Sequence, residues 1–189
     1  QAMRHGVSPE QMVFWMKELT EITLLDYIFS QQDRIGNIDH VDYWHWKENG
    51  NVRRTKVSGD QPPAEIAGLD PVRIKRTWLN DNDAGGKRRY ANFTKKTEML
   101  EKIRHYNPET WRLLMALHRD FSDQGPLYTY VRDTFGLTDV QFEQVVTNTH
   151  EAAEILRSTC RAGSLRFDLD PEAFLVKGAV EAQQVDCGN

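Results

Sequence analysis

Leu24-Leu25-Asp26-Tyr27-Ile28-Phe29-Ser30-Gln31-Gln32-Asp33-Arg34-Ile35-Gly36-Asn37-Ile38-Asp39 is the stretch whose reading decides the fold. Its first half is apolar at three- and four-residue spacing, the signature of a helix with a buried face. Its second half is polar and carries Gly36, which permits backbone paths that other residues resist. A helix therefore runs into a loop that holds Asp33 and Asn37. A second segment, Trp78-Leu79-Asn80-Asp81-Asn82-Asp83-Ala84-Gly85-Gly86, reads as the end of a strand entering an acidic, glycine-rich turn.

Working outward, Ser8-Pro9-Glu10-Gln11 starts the helix: Ser caps, Pro takes the first helical position, and Gln follows three residues after the cap. Met12, Trp15, Met16, Leu19, Ile22, Leu25, Ile28 and Phe29 form its expected buried face. Residues 41–46 are aromatic and strand-like, Glu48-Asn49-Gly50-Asn51 is a turn signal, and residues 52–57 form a returning strand. Residues 58–71 carry Pro62, Pro63, Gly68 and Pro71 and read as a loop. Residues 72–79 are a strand leading into the acidic turn. Beyond it the chain reads as helices: 94–106, one opened by Asn107-Pro108, one over 127–135, one capped at Thr138, and one opened by Asp170-Pro171. The fold class expected is mostly α with a small β element, in a single domain over residues 1–189.

Composition bounds the partners. The 189 residues are 39% hydrophobic and 28% charged, as in a globular domain. A net charge of -4 gives no general attraction to nucleic acid, and Lys87-Arg88-Arg89 is a short basic run of the kind found on solvated surfaces. No apolar run is long enough to span a membrane. Cys160 and Cys187 are compatible with one disulfide or with two free thiols, and lack the spacing of a metal knuckle.

Two residue clusters carry candidate chemistry. Asp33 can align the proton of a hydroxyl, and Asn37 can turn its amide oxygen to a metal. Asp81 and Asp83 offer hard oxygen ligands suited to Mg²⁺ or Mn²⁺. Phosphoryl transfer from ATP needs that set: one carboxylate for the acceptor, and an Asn and an Asp for the metal on the phosphates. The same residues also suit plain turns, with Asp33 as a cap and Asp33-Arg34 as a solvated charge pair. A calcium loop from Asp81 fails at its twelfth position, where Asn92 stands in place of Glu, and at its eighth, where Arg88 replaces an apolar residue. Trp44, His45 and Trp46 read either as a stacking platform or as core. His105, His118 and His150 are scattered on helices without ligand spacing.

Taken together, Leu24-Leu25-Asp26-Tyr27, Asp33-Arg34 and Asp81-Asn82-Asp83-Ala84-Gly85-Gly86 resemble the C-terminal lobe of atypical kinases. The likeness is to the secretory-pathway kinases of the Golgi casein kinase and four-jointed type. More distantly, Asn37 resembles the loop Asn of HipA-type and phosphoinositide kinases. The resemblance spans residues 15–160. It implies a protein-kinase-like C-lobe with Asp33 as catalytic carboxylate, Asn37 and Asp81 at the nucleotide–metal site, and Asp83 as a further metal ligand. ATP and Mg²⁺ or Mn²⁺ would be the cofactors. No glycine-rich strand-turn-strand precedes Asp33, so the nucleotide-covering N-lobe is expected on another chain or on a removed segment. The acceptor, whether protein, sugar or lipid, is not legible. Two alternatives stay open: a non-catalytic kinase-derived binding module, and a helical interaction domain whose acidic clusters are caps and turns.

Overall fold

The computed structural model describes residues 6–31, 34, 37–79, 85–86 and 92–188. Helix α1 spans Pro9–Phe29, followed by strands β1 (Ile38–Glu48), β2 (Asn51–Lys56) and β3 (Val72–Leu79). Helices α2 (Phe93–Lys96), α3 (Pro108–Ser122), α4 (Pro126–Thr134), α5 (Asp139–Arg161) and α6 (Pro171–Lys177) complete the described chain. It is mostly α with one small antiparallel sheet, ordered β2-β1-β3.

Local chemistry sets the element ends. Ser8 Oγ accepts from Gln11 N at 3.1 Å and Pro9 needs no donor at the first helical position. Asn107 Oδ1 accepts from Glu109 N and Thr110 N at 3.0 and 2.9 Å. Thr138 and Gln141 form a reciprocal capping box. Asp170 caps α6 through Ala173 N at 3.0 Å. Asn49 and Gly50, at φ 51° and 78°, make the two-residue turn between β1 and β2, the left-handed pair that suits the twist of a hairpin.

Helix α1 differs from its expected face. Leu19 and Leu25 are 59% and 42% exposed, whereas Gln11, Phe14, Glu18 and Ile22 are buried. The reason lies on β3, whose outer edge would otherwise present unpaired backbone groups. The Gln11 amide pairs with Lys75 like a neighbouring strand: Nε2 donates to Lys75 O at 2.8 Å and Oε1 accepts from Lys75 N at 2.7 Å. Trp15 Nε1 also donates to Lys75 O, at 3.1 Å. Two turns on from Gln11, Glu18 accepts from Thr77 N at 3.0 Å and from Thr77 Oγ1 at 2.7 Å, and it pairs with Arg76. These polar groups are buried because they complete the sheet. The opposite edge, β2, is protected by exposed Arg53, Arg54 and Lys56.

Trp44 and His45 are both buried, so both faces of central β1 are covered. Phe14 packs on His45 with ring centroids 5.1 Å apart, and the short 3-10 turn Ala67–Leu69 after buried Ile66 lies against β1. The stacking-platform reading is replaced by core packing. The main core is helical, with Tyr27, Leu100, Tyr106, Trp111, Val145 and Leu156 essentially excluded from solvent. Each such apolar burial stabilises by roughly 1.5–3 kcal/mol.

The expected helix over 94–106 is cut to Phe93–Lys96. Glu98 turns left-handed at φ 52°, and the chain then leaves helical bonding for the 166–169 segment. Tyr106 N donates to Arg166 O and Arg166 N to Arg104 O, both at 2.8 Å. Cys160 and Cys187 form a disulfide that ties the C-terminal segment to α5.

Candidate functional site

The site grows from the C-terminal end of α1. A helix leaves its last carbonyls without intrahelical donors. Here three remote segments supply them. Tyr27 O accepts from Asn92 Nδ2 at 2.7 Å, Ile28 O from Asn148 Nδ2 at 3.1 Å, and Phe29 O from Gly86 N at 2.6 Å. The helix stops because Ser30 turns left-handed at φ 54°, a conformation costing a non-glycine residue about 1 kcal/mol.

Ser30 is fully buried and its hydroxyl is the hub of the junction. The amides of Asn92, Gln144 and Asn148 lie 3.2, 2.7 and 3.1 Å from its Oγ. A hydroxyl has two lone pairs and one proton. Asn92 and Asn148 therefore donate, and Gln144, whose Oε1 is otherwise unpartnered, takes the Ser30 proton when its amide is turned through 180°. Asn92 reaches further, since its Oδ1 caps α2 through Lys95 N at 3.0 Å.

The loop after Ser30 is anchored by Arg34. Its Nε lies 3.1 and 3.0 Å from the two Asp26 carboxylate oxygens, and its Nη2 donates to Oδ1 at 2.6 Å. The side chains are 14% and 8% exposed. Arg34 is thus a largely buried strut to α1. Asn37 N donates to Arg34 O at 3.1 Å, and the next residue begins β1.

Ile38 is the register partner of Leu79. The segment that precedes β1 and the segment that follows β3 therefore meet the sheet at one end of one strand pair. The far side is also joined, by Gly86 N on Phe29 O and by Asn92 on Tyr27 and Ser30. Below these junctions is a cavity of about 340 Å³ lined chiefly by Leu25, Phe29, Leu79, Phe135 and Leu137, with the Asp26–Arg34 pair at its side.

Of the expected site residues, Asn37 stands immediately before β1. Asp33, Asp81 and Asp83 lie outside the described residues. Among the described residues no three His, Cys, Asp or Glu side chains are grouped to hold a metal, and no helix is long and apolar enough to cross a membrane.

Sequence reasoning missed Asn92 and Asn148 as junction residues. Asn148 had a signal, since it is polar within the apolar phase of α5 beside Val145 and Ala152. It also missed a histidine contact. His118 on α3 and His150 on α5 place their Nδ1 atoms 2.7 Å apart, while Arg157 Nη1 lies 3.3 Å from His118 Nε2. The guanidinium can only donate, so His118 carries its proton on Nδ1 and donates it to His150. Burial, then the Arg157 charge, holds the His118 imidazole below the usual histidine range. No protein-family model, curated protein or solved structure matches the chain.

Proposed function

We propose that this chain is the lobe of an ATP- and Mg²⁺- or Mn²⁺-dependent phosphotransferase that moves a γ-phosphoryl group to a hydroxyl acceptor. In this reading Asp33 aligns the acceptor hydroxyl, and Asn37 with Asp81 or Asp83 holds the metal on the nucleotide phosphates. A separate nucleotide-covering lobe belongs to the same reading. The observation that supports it is the pairing of Ile38 with Leu79. The strand ends to which the two candidate segments attach, about forty residues apart in sequence, are paired, and metal-assisted transfer needs its carboxylates within one small volume. The bidentate Asp26–Arg34 strut adds a rigid mount next to Asp33, which suits a residue whose work is positioning.

The test is phosphoryl transfer from Mg²⁺-ATP by the complete protein, with Asp33→Ala, Asn37→Ala and Asp81→Asn/Asp83→Asn as variants. Asp33→Ala is expected to abolish transfer while the fold is kept. The Asp81/Asp83 variant is expected to lose Mn²⁺ binding measured by electron paramagnetic resonance. Near-normal turnover by a folded Asp33→Ala protein would remove the catalytic role. Metal binding with no transfer in any assembly would favour the non-catalytic binding module.

A further inference from the structure

The other end of the sheet closes on a cavity of about 670 Å³. Its walls are the sheet face bearing His45, Arg54 and Arg76, the α1 residues Phe14 and Lys17, and the first turns of α3 and α6. Six Lys and Arg side chains line it against three carboxylates, Glu109, Asp170 and Glu172. Lys17, Arg53 and Arg76 are already paired with Glu21, Glu48 and Glu18.

Arg54, Arg112 and Lys177 have no carboxylate partner among the described residues. Arg54 lies over the Tyr43 ring at 5.3 Å, and Arg112 donates to Gln183 at 3.1 Å. Three elements remote in sequence, β2, α3 and α6, thus bring cations without an ion-pair partner to one concavity. The opposing acids are partly engaged: Asp170 caps α6, and Glu109 and Glu172 sit in first helical turns, where the helix dipole favours them.

The buried wall between Arg54 and Arg76 is His45, 2% exposed, and its Nδ1 has no hydrogen-bond partner among the described residues. Phe14, Val52 and Val176 add an apolar surface. Guanidinium forks match the paired oxygens of a phosphate, and apolar walls accept an organic body. The volume is that of a small-molecule site and far exceeds a lone ion.

We propose that this cavity binds an organic phosphate, a small molecule with at least two negative charges, held by Arg54, Arg112 and Lys177. The proposal does not rest on the phosphotransferase reading, because no residue of the two loops takes part.

The test is calorimetric titration of the chain with inorganic pyrophosphate at low salt in EDTA, which silences any metal site, with citrate as the comparison anion. One saturable pyrophosphate site is expected, weakened by added salt. Arg54→Gln, Arg112→Gln and Lys177→Gln should each weaken it roughly tenfold, the usual worth of one charge-assisted hydrogen bond. The three side chains are exposed, so the variants should fold, with circular dichroism as the check. Asp33→Ala should bind as the parent does. Four results would overturn the proposal: no saturable binding, unchanged binding by the triple variant, tighter binding of citrate than of pyrophosphate, or loss of binding in Asp33→Ala.

Discussion

The two ends of the β1–β3 pair are built on opposite principles. At the Ile38–Leu79 end, largely buried polar groups are tied to one another: Arg34 to Asp26, and the α1 carbonyls to Asn92, Asn148 and Gly86. At the hairpin end, Arg54, Arg112 and Lys177 face a cavity with no ion-pair partner among the described residues. A matched network holds a loop still, because every displacement leaves a buried group unsatisfied. An unmatched cluster keeps charge available for something that is not part of the chain. The first arrangement suits positioning and the second suits binding.

The largest way to break the matched end is Arg34→Met. It leaves the Asp26 carboxylate buried without its partner, at a cost of about 3–5 kcal/mol. Urea unfolding should show that loss, and Asp26→Leu added to Arg34→Met should recover most of it. If phosphoryl transfer stays low in the recovered double variant, the strut serves loop placement beyond stability.

The cavity end should answer to pH. Burial, then the Arg76 charge, holds His45 down at about 4. Its folded pKa lies below the unfolded value, so below about pH 6.5 the unfolded chain binds the extra proton. Stability from this group is therefore complete above that pH and lost as pH falls toward the folded value, about 3 kcal/mol over the whole window. The expected result is a steeper fall in urea midpoint for the parent than for His45→Phe between neutrality and pH 4. His118 shifts in the same direction, so some acid sensitivity should persist in that variant.

Asn148→Ala probes the matched end more gently. It removes one donor to Ile28 O and one to Ser30 Oγ, at roughly 2 kcal/mol. Hydrogen exchange should then quicken at the end of α1 and leave the hairpin unchanged. The smallest effect is expected at Gln11→Ala, about 1 kcal/mol, because Trp15 still donates to Lys75 O. Faster exchange at Lys75 N–H would confirm that the helix side chain acts as the missing strand.

Much of the fold was legible where the controlling interaction is local. Ser8, Asn107, Thr138 and Asp170 were read as helix starts, and all four cap through backbone N–H groups two or three residues on. The strands and the Asn49-Gly50 turn were legible for the same reason. The helix over 94–106 was misread because its competitor, the 166–169 segment, is some sixty residues away. The face of α1 was misread because apolar spacing assumes that burial follows hydrophobicity. There, Gln11 and Glu18 are buried by an edge strand that needs donors and acceptors.

For the candidate site, the sequence supplied residue types and spacing: an Asp and an Asn after a helix, and two Asp after a strand. Tertiary structure alone decided that the strand ends to which those segments attach are paired, that Ser30 gathers amides from 62 to 118 residues away, that Cys160 pairs with Cys187, and that Arg54, Arg112 and Lys177 meet around one cavity. The division has a physical cause. A cap or a two-residue turn closes within a few residues, so its partners are written side by side in the chain. A buried hub or a charged cavity draws on groups whose separation in sequence carries no information about their distance in space.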